Sequence, residues 1–153
     1  MSNYIDTRDL YERQQELQSL KDTVESAAVE LTDAEKDLAS CEDDRHRAEL
    51  EEAVSEAEGN LESAKEAFGP DEEKELAELD DLESEITDWR HGNTMIPEGS
   101  FEDYARDFAG DIGAINRDAS WPLSYIDWEQ AAKELAMDYT TVSYQGEDYY
   151  VRS

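Results

Sequence analysis

TRDLYERQQELQSLKDTVESAAVELTDAEKDLASC, from Thr7 to Cys41, decides the fold. Leu10, Leu17, Val24, Leu31 and Leu38 recur every seven residues, and Leu20, Ala27, Ala34 and Cys41 fill the position three residues later. This is the a/d seam of a heptad repeat, which only a helix can gather on one side. The pattern slips phase and then resumes as Leu50, Val54, Ala57, Leu61, Ala64 and Phe68, in alternating steps of three and four. Two helices folded back on each other explain the slip better than one rod. It falls in Glu42-Asp43-Asp44-Arg45-His46-Arg47, where like charges adjoin and Asp side chains compete for the backbone, so the hairpin corner is expected there. At about 1.5 Å per residue the first helix, Thr7 to Asp43, would run roughly 55 Å and the second, Asp44 to Phe68, roughly 37 Å. The first therefore overhangs the second.

Outward from this hairpin, Asp6 or Thr7 can cap the first helix, with Asp9 near its positive end. Gly69-Pro70 stops the second helix and suits the start of a third, Asp71 to Arg90, whose apolar stripe includes Leu76, Leu79, Ile86 and Trp89. That helix could pack on the overhang. Arg90-His91-Gly92-Asn93 ends it and marks the domain boundary, dividing the chain into 1–91 and 92–153. Beyond it aromatic density rises. Ser100 is an expected N-cap, and Phe101, Tyr104, Ala105, Phe108 and Ile112 line one face of a helix closed by Gly113. Asn116 to Ser124 reads as loop. Asp127 with Gln130 forms a capping box for a helix that buries Trp128, Ala131, Ala132 and Leu135. Thr140 to Tyr144 and Asp148 to Arg152 flank Gln145-Gly146 as a terminal β-hairpin, which needs partners and could gain a third strand from Thr94 to Ile96. The predicted class is α+β and mainly helical: an acidic antiparallel coiled-coil hairpin with a third helix, then a small helix and β-hairpin domain.

The 153 residues carry 42 acidic and 13 basic side chains, a net charge of -29. Residues 1–91 hold 30 of the acids and 9 of the bases, so the excess sits on the helical part. A field of that sign repels nucleic acid and anionic membrane and steers the protein toward basic surfaces, including those of DNA-binding proteins. Direct nucleic-acid binding is excluded on this ground. Cys41 is the one cysteine, so no internal disulfide can form, and on the seam it reads as a small hydrophobe. The opening segment Met1 to Asp6 has neither a basic nor an apolar leader region, and no run reaches membrane-spanning length; a soluble, cytoplasmic protein is expected.

Phe101-Glu102-Asp103-Tyr104-Ala105, Asp111-Ile112-Gly113, Tyr125-Ile126-Asp127-Trp128-Glu129, Ala131-Ala132, Leu135, Asp138-Tyr139 and the closing Gly146 to Arg152 resemble the C-terminal domain of the antirestriction protein ArdA family. The resemblance covers about residues 94–153. It implies a plasmid or phage counter-defence protein, acting in the host cytoplasm, from a family of elongated dimers that mimic bent B-form DNA and occupy DNA-binding clefts of type I restriction-modification enzymes. The first 91 residues depart from it: ArdA proteins carry further small mixed domains where this chain has an acidic helical hairpin. Dimerisation mode, length of DNA mimicked and target enzyme do not carry over.

A charge count tests mimicry. Between Glu30 and Glu66 there are 14 acids. Folded into two arms they give about one acid per 2 Å of hairpin, against about one charge per 1.7 Å of duplex axis. Helix-face carboxylates repeat about every 5–6 Å, near a phosphate step of about 7 Å along one strand. A row such as Asp44, Glu51, Glu58, Glu62 and Glu66 could therefore copy a strand, and Glu30, Asp33, Asp37, Asp80 and Asp81 complete the expected partner-binding carboxylates. Three other readings stand beside this one. The same mimicry could inhibit a CRISPR complex; the seam could serve a coiled-coil adaptor or assembly protein; and an acidic, Lys-poor surface also suits a salt-loving source. Catalysis is poorly supplied. His46 and His91 lie near separate helix ends, Asp43-Asp44 and Asp80-Asp81 lack a calcium-binding loop, and neither a phosphate-cradling glycine loop nor a nucleophile elbow is present. A non-enzyme without metal or cofactor is expected. Trp121, Trp128, Tyr104, Phe108, Tyr125 and Tyr139 read as the C-terminal core, with a two-fold interface in a homodimer as the alternative.

Overall fold

The computed structural model describes residues 4–115, 121 and 123–153. The elements run β1 (Ile5–Asp6), α1 (Thr7–Ala39), α2 (Asp44–Ala67), α3 (Pro70–Glu85), β2 (Thr94–Pro97), α4 (Phe101–Asp111), α5 (Trp128–Leu135), β3 (Tyr139–Tyr144) and β4 (Glu147–Arg152), with short 3-10 turns at Glu98–Ser100, Leu123–Tyr125 and Ala136–Asp138. The protein is mainly helical α+β with a small antiparallel sheet. It divides into two compact units: Glu12–Leu79, and the residues up to Tyr11 together with Asp80–Ser153. The division falls within α1 and α3 rather than at 91/92, so the last turns of α3 group with the sheet.

In the helical unit the heptad seam forms as its spacing requires, but the corner lies slightly earlier than expected. α1 ends at Ala39, and Asp43 caps α2, its carboxylate accepting from the Arg45 backbone N–H at 2.9 Å. Asp44 to Arg47 are already helical. Cys41 consequently sits in the corner and not on the seam: it is half-buried, and its thiol donates to the Asp43 carbonyl at 3.1 Å. At Gly69-Pro70 the returning helix breaks and α3 starts, and the Glu72 carboxylate reaches back to accept from the Gly69 N–H at 3.1 Å. α3 then takes up the overhang. Arg13 donates through Nε to Glu75 Oε1 at 2.9 Å and through Nη2 to Oε2 at 3.1 Å, fixing α1 and α3 side by side. Leu17, Leu76 and Leu79 are buried at this level.

Two stability predictions arise here. The two hydrogen bonds from Arg13 hold the Glu75 carboxyl below the usual carboxylate range. A depressed acid stabilises the fold above its unfolded pKa and loses that contribution as pH falls through the lowered value. Glu75→Gln should therefore cost about 1 kcal/mol at pH 7, the worth of a bidentate but partly exposed pair, and urea denaturation repeated at pH 3 should find the two proteins closer together. Gly59, inside α2, has nothing within 4 Å of where a Cβ would stand. Gly59→Ala should then gain about 1 kcal/mol from helix propensity alone, read as a higher urea midpoint; a loss would mean that this ridge of α2 is not open.

In the other unit the strand order is β1-β2-β4-β3. The terminal hairpin forms as expected, with Val142 opposite Tyr149, and turns on Gln145 and Gly146, both at positive φ (50° and 78°), as a two-residue hairpin requires. The third strand, β2, pairs with β4 through Ile96 and Tyr150. A fourth strand, β1, pairs Ile5 with Met95 and leads directly into α1. There the Asp6 carboxylate accepts from the Arg8 N–H at 2.9 Å, while the buried Thr7 hydroxyl accepts from the Asn93 N–H at 2.7 Å. On one sheet face Ile96 joins Phe101, Ala105 and Ala132, with Tyr104, Tyr139 and Tyr150 packed around them. The Phe101 ring lies 4.5 Å from Tyr150 and 5.2 Å from Tyr139, centroid to centroid. The Tyr104 and Tyr139 hydroxyls meet at 3.0 Å, and burial, reinforced by that bond, pushes the Tyr139 phenol well up.

Several expectations are corrected in this unit. α3 ends at Glu85, five residues early, because the chain turns on Asp88 at φ 58° so that Thr87 and Asn93 can donate to the Arg152 carbonyl at the end of β4. Ser100 makes no side-chain cap; the 3-10 turn at Glu98–Ser100 feeds α4 instead. Asp127 does cap α5, accepting from the Gln130 N–H at 3.1 Å. Ile112, Trp121 and Tyr125 are exposed and not core. Of the expected Asn116–Ser124 loop, residues 116–120 and 122 lie outside the described residues.

Candidate functional site: the acidic faces of the helical hairpin

Glu12–Leu79 carries 23 acidic and 7 basic side chains. Its seam is thin, so most of the surface of each helix is left to charge. All ten carboxylates expected to bind a partner, Glu30, Asp33, Asp37, Asp44, Glu51, Glu58, Glu62, Glu66, Asp80 and Asp81, are exposed. Asp44 has Arg47 at 3.7 Å. Among the described residues no ion pair engages Glu30, Asp33, Asp37, Glu51, Glu58, Glu62 or Glu66. Their charge is left for the solvent, or for a partner.

The fold sorts these groups by heptad position. Position e lies beside a and position g beside d, on opposite flanks of the seam. In α2 the seam assigns Asp44, Glu51 and Glu58 to e and Glu62 to the adjoining b. In α1 it assigns Glu30 and Asp37 to g and Asp33 to c. When two helices pair antiparallel, e faces e and g faces g. The grooves between α1 and α2 follow this rule. One is lined by Leu31, Leu61, Glu58, Glu62, Lys65 and Glu66. The other is lined by small and polar groups, among them Ala27, Glu30, Asn60, Ser63 and Ala64. The expected row Asp44, Glu51, Glu58, Glu62 and Glu66 therefore does share one side of the hairpin. Glu30, Asp33 and Asp37 face the opposite side, where Glu49 and Glu56 of α2, absent from the expected set, join them. Asp80 and Asp81 belong to the unit that holds the sheet.

This division changes the charge arithmetic. About 33 Å of axis separate Asp44 from Glu66, so either side alone presents about one carboxylate per 6 Å. That is coarser than the phosphates of a duplex at about one charge per 1.7 Å of axis. Only a cleft that surrounds the hairpin meets the combined density. No family model, curated protein or solved structure matches the chain.

For other chemistry the structure offers little. Among the described residues no group of three or more His, Cys, Asp or Glu side chains is placed to hold a metal ion. His46 stands 3.8 Å from both Asp43 and Glu49 at the exposed hairpin corner. A cavity of about 530 Å³ lies between α4 and the segment leading into α5, where the Arg106 guanidinium sits 5.1 Å above the Trp128 ring. The polar side chains among its described lining residues are Arg106, Asp107 and Ser124. Among the described residues no helix is long and apolar enough to cross a membrane.

Proposed function

We propose that this protein is an acidic DNA mimic of the counter-defence type, which competes with DNA for the basic cleft of a bacterial defence nuclease such as a type I restriction-modification enzyme. The observation that carries the reading is the hairpin itself: two helices with exposed carboxylates along both flanks, all but Asp44 of those expected on α1 and α2 without an ion-pair partner among the described residues. Ordered helices hold the charges at fixed spacing, so binding loses little conformational entropy and the long-range field speeds encounter. The likeness of residues 94–153 to ArdA supports the same reading. Inhibition of a CRISPR effector would use the same surface and the same physics.

The test is to mix the intact protein with a type I restriction enzyme, and separately with CRISPR effector complexes, and to measure DNA binding by each at two salt concentrations. Salt-sensitive loss of DNA binding by one of them is expected. If no complex loses its DNA while a helical partner is captured in a pull-down, mimicry fails and the coiled-coil adaptor takes its place.

A further inference from the structure

We propose that the groove lined by Leu31, Leu61, Glu58, Glu62, Lys65 and Glu66 binds a basic amphipathic helix, with apolar anchors on the leucines and Lys or Arg on the glutamates. The inference does not rest on mimicry, since it does not require the partner to bind DNA.

The seam is asymmetric. Between Val24 and Leu38 of α1 and between Val54 and Ala64 of α2, position a carries Val24, Leu31, Leu38, Val54 and Leu61, whereas position d carries Ala27, Ala34, Ala57 and Ala64; the leucines at d, Leu20 and Leu50, lie outside this stretch. Ala27, Ala57 and Ala64 are buried, while all five of the larger residues stay half-exposed. Two helices alone cannot enclose a side chain as long as leucine at a, so the e-side groove, of about 400 Å³, is floored by Leu31 and Leu61, whereas the g-side groove, of about 430 Å³, is floored by Ala27 and Ala64 and offers a partner no large apolar side chain. A third helix laid along two others at the usual interaxial distance of about 8–10 Å would close it.

The spacing selects a helix over an extended peptide. Successive a residues of one helix, Leu31 and Leu38 in α1 or Leu61 and Val54 in α2, lie about 10.5 Å apart along the axis, so anchors at i and i+7 of a bound helix would meet Leu31 with Leu61 at one level and Leu38 with Val54 at the next. An extended strand presents same-side residues about every 6.6–6.8 Å and falls out of step after one repeat. Charge selects the sign of the partner. Glu58, Glu62 and Glu66 form an i, i+4, i+8 wall opposed only by Lys65 in the groove, so a partner with cations at the same interval is complementary along its length. A second copy of this chain is disfavoured by the same charges, because its own hairpin carries 23 acids against 7 bases.

The experiment titrates the intact protein into a labelled synthetic helix with Leu at i and i+7 and Lys or Arg flanking each, followed by fluorescence anisotropy. The triple variant E58Q/E62Q/E66Q should weaken binding about tenfold or more, whereas E30Q/D33N/D37N, which removes the same charge from the other flank, should change it by less than about twofold. A peptide with both Leu replaced by Ser should also lose about tenfold. Melting followed by circular dichroism verifies that both triple variants keep the helical hairpin. Equal losses from the two triple variants would reduce the attraction to undirected charge and overturn the proposal, as would a Ser peptide that binds as well as the Leu peptide. The assay contains neither DNA nor nuclease, so its failure leaves mimicry to the competition test, and a failed competition leaves this result standing.

Discussion

Leu17→Ala should lower the unfolding free energy by about 3–4 kcal/mol, and Leu31→Ala by only about 1 kcal/mol. The two leucines occupy the same heptad position two repeats apart, so local propensity and pattern are the same for both. Their surroundings differ. Leu17 is 0% exposed, at the level where the bidentate pair of Arg13 and Glu75 fixes α3 against α1, and Leu76 and Leu79 are buried with it. Truncating it removes a full side chain of transfer free energy and leaves a walled cavity. Leu31 borders an open groove, so truncation removes contacts on one side and water fills the space. Urea unfolding followed by helical circular dichroism reads both values. Equal costs would mean that α3 does not close over the overhang, and the hairpin would then be the same two-helix object along its whole length.

The heptad seam was legible because a seven-residue apolar repeat leaves a helix only one way to bury its side chains. The corner was legible to within a few residues, since Asp43 is a strong cap and charge crowds there. β1 was not: two residues, Ile5 and Asp6, are too short to show alternation, and their pairing with Met95 and Thr94 is decided by tertiary contact. Nor was the end of α3, where Trp89 continues a helical stripe and is buried, though the backbone has already turned at Asp88 to reach β4. Trp121 and Tyr125 looked like core from composition alone, and composition says nothing about which side of a turn faces solvent. In the candidate site the exposure of the chosen carboxylates of α1 and α2 was readable from the seam. Its division into two flanks was not, because that depends on which helix sides meet. Once the chain reverses, e meets e and g meets g, and Glu30 parts company with Glu58. Glu49 and Glu56 could have been found from their positions two residues after Arg47 and Val54 in the a/d register.

Raising the salt concentration should act on this protein in opposite directions. The helical unit holds 23 acids against 7 bases, so screening relieves self-repulsion and should raise its thermal midpoint by a few degrees, about 1 kcal/mol. Competition with DNA should weaken over the same range, and its slope reports how the target grips the hairpin. A cleft that surrounds the whole hairpin, taking in Glu35, Glu42, Asp43 and Glu52 as well as both flanks, meets about one charge per 2 Å, near the duplex density at which counterions condense. Between 50 and 200 mM salt the affinity should then fall about a thousandfold, as for a ligand replacing six or more phosphate contacts. A flat surface against one flank meets about one charge per 6 Å, too sparse for that release, and the fall should be nearer tenfold. Both slopes come from one salt series measured by melting and by competition. A flat competition curve would remove electrostatics from the mechanism altogether. A steep one, matched by similar losses from neutralising either flank, would place the hairpin inside its target rather than against it.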